Sequence, residues 1–212
     1  MSKTERNILV DDLESKGISD QNVLKALRSI EREKFVPLTM QNHAYRDIAL
    51  PIGYGQTISQ PYTVAFMTQQ LKVNKGDKIL EIGTGSGYQA AVLYKMGAYV
   101  YSIERNFDLF RNVQKLFDNL GIRVSTKCGD GTIGWSEYAP FNSIIVTAGS
   151  PEVPESLKRQ LTVSGKLVIP VGDKKTQTLK VITRTSEEEY NVESIPEFAF
   201  VPLIGREAWG KE

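Results

Sequence analysis

Cysteine and histidine are almost missing from this sequence: its 212 residues contain one of each, Cys128 and His43. A single cysteine cannot close a disulfide within the chain, which fits a reducing compartment, and a cytoplasmic protein is expected. One histidine and one cysteine are too few ligands for a His/Cys metal site, so no metal is expected. The same scarcity argues against Cys-His and Ser-His hydrolases and leaves His43 as the only imidazole that could act as a base. Charge of one sign is also lacking, since 26 Lys and Arg face 25 Asp and Glu for a formal net charge of +1. That balance gives no electrostatic reason to expect a nucleic acid or an anionic membrane as partner. No apolar run approaches the roughly 20 residues that cross a bilayer. Lys3, Glu5 and Arg6 also interrupt the opening residues, where a secretory leader would need an apolar core.

What is present is alternation. Two helices are predicted first, one from Thr4 to Lys16 stopped by Gly17, the next starting near Ser19 or Asp20 with Val23, Leu24, Leu27 and Ile30 on one face. Pro37 to Ser59 reads as a long irregular stretch, which in a compact domain is usually functional or disordered; Ile48, Leu50, Pro51 and Ile52 favour an ordered loop. A helix from Gln60 follows, and then strands alternate with helices. The predicted strands are Lys78–Ile82, Tyr99–Ile103, Val124–Lys127, Phe141–Val146, Lys166–Val171, Leu179–Thr185 and Glu197–Leu203. This order predicts one α/β domain, a doubly wound, mostly parallel seven-stranded sheet with an N-terminal helical extension. Ligands in such folds bind beyond the carboxyl ends of the strands, at the switch point in strand order.

The sharpest local signal lies between the first central strand and its helix: Glu81-Ile82-Gly83-Thr84-Gly85-Ser86-Gly87. Glycines there let the backbone approach a ligand and adopt positive φ. A dinucleotide fingerprint would need a glycine at position 88, which is Tyr88, and a P-loop would need a Gly-Lys-Ser or Gly-Lys-Thr run that is absent. Acids then discriminate. Glu81 ends the first strand, Glu104 ends the second, and Asp130 follows the third within Gly129-Asp130-Gly131. Carboxylates at the ends of successive strands make a poor phosphate site. They suit a ligand with a sulfonium, an ammonium, a ribose and an adenine amine, which describes S-adenosylmethionine.

Further residues carry a more specific likeness. Leu50-Pro51-Ile52-Gly53-Tyr54-Gly55-Gln56-Thr57-Ile58-Ser59-Gln60-Pro61 closely resembles the protein-L-isoaspartate O-methyltransferases, as do Phe35-Val36-Pro37, Gly134-Trp135 and Phe200-Val201-Pro202-Leu203. The matches run in order along nearly the whole chain. Three positions depart from the usual pattern: Asn142 for Asp, Gly149 for Ala, and Ser164 for the first glycine of a pair. The resemblance implies an enzyme that moves a methyl group from S-adenosylmethionine, leaving S-adenosylhomocysteine, to the α-carboxylate of L-isoaspartyl residues in damaged proteins and peptides. It implies Ser59 as the active-site serine. It places Gln56, Thr57, Ile58, Glu81, Gly83, Thr84, Gly85, Gly87, Glu104, Asp130 and Gly131 around the cofactor, and Val201, Pro202 and Leu203 along the substrate peptide. The expected organisation is a single domain, 1–212. Within it, 1–59 supplies helices and the active-site loop, and 60–212 supplies the cofactor-binding core and a substrate-side C-terminal strand.

Simpler readings stand beside these. Ser59 precedes Gln60-Pro61 and a helix, so it could be an N-cap. Cys128, in a predicted strand, is expected to be buried and inert. His43 is expected to be structural, and Trp135 and Trp209 to be packing residues. The rival functions are a methyltransferase for RNA or a small metabolite, a non-catalytic binding module, and a nicotinamide-dependent oxidoreductase.

Overall fold

The computed structural model describes residues 2–210. Helices α1 (Ser2–Ser15) and α2 (Gln21–Ser29) lead into two short 3-10 turns, Arg32–Phe35 and Leu38–His43. A small hairpin follows, β1 (Leu50–Gly53) with β2 (Gln56–Ile58), and then α3 (Pro61–Leu71). The expectation of an irregular 37–59 stretch is thus corrected. A 3-10 turn and a hairpin fill much of it, and its extended pairs are too short to show an alternating pattern in sequence.

The remaining elements build the sheet: β3 (Lys78–Ile82), α4 (Tyr88–Lys95), β4 (Tyr99–Glu104), α5 (Phe107–Leu120), β5 (Ser125–Cys128), β6 (Phe141–Val146), α6 (Glu155–Arg159), β7 (Leu161–Gly172), β8 (Gln177–Arg184) and β9 (Tyr190–Phe198). The seven strands lie in the order β5-β4-β3-β6-β7-β8-β9. The first five are mutually parallel, and β8 and β9 join antiparallel. The expected fold class is therefore found. The predicted last strand, Glu197–Leu203, is corrected: β9 lies upstream. It pairs with β8 across a turn at 185–189, while Val201 to Leu203 runs beside Gly149.

Parallel strands covered on both faces are largely apolar, and alternate residues feed opposite layers. Ile79, Ile145, Val168 and Val181 join the layer of α1–α4, whereas Leu80, Ile82, Ile144, Val146 and Ile169 join the layer of Trp135 and Leu157. β5 is the sheet edge, and most of it faces solvent. Cys128 is accordingly exposed, not buried as expected. No described helix is long and apolar enough to cross a membrane.

Two of the unusual sequence positions explain themselves here. Asn142 accepts the Lys78 backbone N–H at 2.8 Å through its side-chain oxygen, a role an Asp would fill equally. Ser164 sits at φ +67°, in the left-handed region where glycine is at ease.

Candidate active site

β3 is the switch point: its neighbours β4 and β6 lead away to opposite sides of the sheet. Beyond the carboxyl ends of these strands lies a cleft of about 550 Å³, within the size range of small-molecule sites. The glycine turn after β3 supplies Gly83 and Gly85, the turn after β4 supplies Glu104, Arg105 and Asn106, and Thr147 and Ala148 come from the end of β6. The hairpin (Tyr54, Gln56, Thr57) and the segment Val201–Ile204 close it from above.

Gly83 has φ +95°, and a Cβ there would sit 2.5 Å from Thr147 Oγ1. That hydroxyl donates to the Gly83 carbonyl at 2.7 Å. Gly87 plays another part. It has φ +84° and is pressed against Val113 and Phe117 of α5, so it fixes helix packing and does not line the cleft.

The three acids have different surroundings. Glu104 borders the cleft with its carboxylate held by two backbone donors, Gly85 N at 2.8 Å and Asn106 N at 2.7 Å. Each oxygen keeps a lone pair for a ligand hydroxyl. Glu81 is fully buried; Ser102 donates to its Oε2, and Thr84 hydrogen-bonds Ser102 at 2.5 Å. Its Oε1 has no protein partner. Burial pushes the Glu81 carboxyl up to about 8, and the nearby Glu104 charge adds to the rise. Asp130 faces elsewhere: it accepts from the Thr132 backbone and hydroxyl and from Arg206 N at 2.8 Å. Burial works to raise its carboxyl, but these hydrogen bonds outweigh burial and hold it below the usual range. Gly131, its neighbour, does line the cleft.

Two further spaces adjoin. A narrow recess of about 40 Å³ is bounded by Ile58, Ser59, Glu81 and Thr84. A cavity of about 300 Å³ is bounded by Ser59, Thr63, Lys175, Phe200 and Val201. Ser59 lines both, and Thr57 and Thr147 line all three spaces. The N-cap reading of Ser59 fails: Gln60 occupies that position, and the first turn of α3 is capped instead by Asp47, whose Oδ1 accepts Tyr62 N at 2.8 Å. Ser59 Oγ is therefore not committed to the helix.

The structure thus gathers Gln56, Thr57, Gly83, Gly85, Glu104 and Gly131 around the main cleft, and Ile58, Ser59, Glu81 and Thr84 around the recess. Val201, Pro202 and Leu203 border the main cleft, with only Val201 reaching the second cavity. His43 is exposed and lines none of these spaces. Trp135 is buried, as expected for a packing residue. Thr147, Asn106 and Tyr54 escaped the sequence reading. Thr147 and Asn106 immediately follow strands, a position that the switch-point rule already marks. Tyr54 has no comparable signal.

Comparison with known proteins settles the family. The model for the protein-L-isoaspartate(D-aspartate) O-methyltransferases matches residues 4–208. The chain belongs to this family. It is 52% identical to a protein-L-isoaspartate O-methyltransferase of Flavobacterium psychrophilum over 200 residues, 94% of this chain and 93% of the relative. Identity to the protein of that name from Chlorobium phaeobacteroides is 51% over 206 residues, 97% and 95% of the two chains. Among solved structures, a Plasmodium falciparum protein described as a putative family member in complex with S-adenosyl-L-homocysteine superposes with a TM-score of 0.83. Its identity is 26%, over 95% of this chain and 99% of that one. Another protein-L-isoaspartate O-methyltransferase gives 0.86 at 31% identity, covering 96% of this chain and 67% of that one.

The methyl donor of the family, S-adenosylmethionine, fits the residues present. Glu104 offers carboxylate lone pairs at the mouth of the cleft, and Thr57 and Thr147 offer hydroxyls. The buried, unpartnered Glu81 Oε1 is suited to a cation or a donor N–H. A polyhydroxylated cation is the ligand such a set selects.

Proposed function

We propose that Ser59, with the hydroxyl of Thr57, aligns the two partners of this chain's reaction where its three spaces meet. The chain is an S-adenosylmethionine-dependent methyltransferase acting on the α-carboxylate of L-isoaspartyl residues in damaged proteins and peptides, the step that initiates repair. The donor, when bound, supplies a methyl group activated by an adjacent sulfonium. The acceptor carboxylate, with a pKa of about 4, is already ionised at neutral pH. No residue has to remove a proton, which suits a site from which the one histidine is remote.

The protein's task is then orientation and exclusion of water. Ser59 Oγ donates to one oxygen of the acceptor carboxylate and turns the other toward the methyl group. Thr57, on the same hairpin, is the second donor. Glu81, Gly83, Gly85 and Glu104 hold the methyl donor on one side; Val201, Pro202 and Leu203 guide the peptide on the other. Lys175, at the rim of the second cavity, draws an anionic acceptor toward it. The chain acts as one domain, 1–212, in the cytoplasm.

The observation that carries this reading is that Ser59 borders both the recess beside Glu81 and the cavity beside Val201. Its test is transfer of a radiolabelled methyl group to an isoaspartyl peptide and to its normal aspartyl twin. Transfer to the first alone is expected. Transfer to neither, or equally to both, contradicts it.

A further inference from the structure

Arg32 is the largest of the fully buried side chains, with 0% of its surface exposed. Among the described residues no carboxylate pairs with it. An arginine stays charged in a protein, and burying a charge without a counter-ion is costly. Its direct partners are two backbone carbonyls and a ring, Asp47 adds negative charge at longer range, and its Nη1 has no protein hydrogen-bond partner. Nε donates to the Ala44 carbonyl at 2.9 Å, Nη2 donates to the Ser59 carbonyl at 3.0 Å, and the guanidinium carbon lies 4.7 Å from the ring centroid of Tyr88.

These three partners are far apart in sequence but share one purpose. Ala44 stands where the hairpin-bearing loop begins, and Ser59 stands where it ends. Tyr88 is the first residue of α4, directly after the glycine turn, and its ring also meets Phe35 edge-on at 5.5 Å. One planar fork therefore joins both ends of the loop to the element that carries the cofactor turn. A lysine at the same place is a point charge and cannot span two carbonyls while lying flat on a ring.

We propose that Arg32 is a positioning residue for methyl transfer: it holds the Ser59 backbone so that Oγ faces both the recess and the acceptor cavity. It touches neither donor nor acceptor and acts through Ser59. This rests on the role given to Ser59 above.

The test is a double-mutant cycle of Arg32→Lys and Ser59→Ala, read as kcat with an isoaspartyl peptide and as the affinity for S-adenosylhomocysteine. Arg32→Lys alone is expected to lower kcat by about tenfold or more while changing the affinity for S-adenosylhomocysteine by less than about twofold. Added to Ser59→Ala, it is expected to cost nothing more, because the hydroxyl it positions is already gone. Losses that multiply, or that fall equally on kcat and on S-adenosylhomocysteine affinity, overturn the proposal. A fully active Ser59→Ala enzyme sinks the Ser59 reading instead, so the two failures are separable. Should Arg32→Lys not fold, Tyr88→Leu removes the ring under the guanidinium and leaves both carbonyl bonds in place. In the same cycle it is expected to show a smaller loss, about threefold, that again vanishes in the Ser59→Ala background; multiplying losses overturn the proposal there too.

Discussion

The hydroxyl of Thr147 donates to the carbonyls of Ile82 and Gly83, at 3.0 and 2.7 Å, and so ties the end of β6 to the start of the glycine turn. The contact is made at the switch point itself, and it explains why position 83 admits only glycine. Gly83→Ala would place a methyl group 2.5 Å from Thr147 Oγ1 at a φ of +95°. The turn or the threonine must shift. We expect S-adenosylhomocysteine affinity, measured by titration calorimetry, to fall at least about tenfold, with the backbone strain adding roughly 1–2 kcal/mol of destabilisation. Unchanged affinity would mean that the turn does not contact the donor.

Glu81 makes stability depend on pH. Its carboxyl is raised from 4.5 to about 8 in the folded chain. Between those values the folded state keeps a proton that the unfolded chain has released. The donor-free protein therefore loses stability as pH rises from about 4.5 to 8, and beyond either end this group contributes no slope. Glu81→Gln has no proton to lose and should flatten that part of the profile. Denaturant unfolding of both proteins at pH 5 and pH 8 checks this; parallel profiles would contradict it.

The rim of the acceptor cavity carries the third expectation. Lys174 lies 5.5 Å from the ring of Trp209, whereas Lys175 stands beside it at the opening. Lys175→Glu should raise KM for an isoaspartyl peptide by about three- to tenfold, more at low salt, and leave S-adenosylhomocysteine affinity unchanged. Equal KM values at low salt would remove Lys175 from substrate recognition.

Much of this architecture was legible in the residues. The bounds of Lys78–Ile82 and Phe141–Val146 are legible to the residue, because central parallel strands are short, largely apolar and flanked by turns. The cleft is legible from Gly83, Gly85 and Glu104, because a glycine turn after one strand beside an acid ending the next marks the switch point. Legibility ended where tertiary contacts decide. Nothing local distinguishes the paired strand Tyr190–Phe198 from the strand-like run after it, which lies against Gly149 instead. Cys128 is exposed against expectation because its strand is an edge, and edge position is not written in four residues. Asp130 follows a strand like Glu104, yet its hydrogen bonds go to Thr132 and Arg206. Arg32 gave no local sign, since its partners are 12 and 27 residues away.

Ser164 offers a test of the fold alone. It holds φ +67° in an exposed bend of β7, in the left-handed region that favours glycine. Ser164→Gly relieves the left-handed strain but loosens the unfolded chain, for a net gain of about 0.5 kcal/mol. Urea unfolding should show a higher midpoint at unchanged slope and activity. A lower midpoint would mean that the serine makes a compensating contact.

The central claim is that one hydroxyl aligns the acceptor carboxylate beside the methyl donor without taking a proton from it. Ser59→Ala tests it most directly, with kcat for an isoaspartyl peptide measured beside the dissociation constant for S-adenosylhomocysteine. We predict a kcat lower by about 10- to 100-fold with that constant changed less than about twofold, because the lost interaction orients the acceptor only. Wild-type turnover, or equal losses in both quantities, would contradict the account.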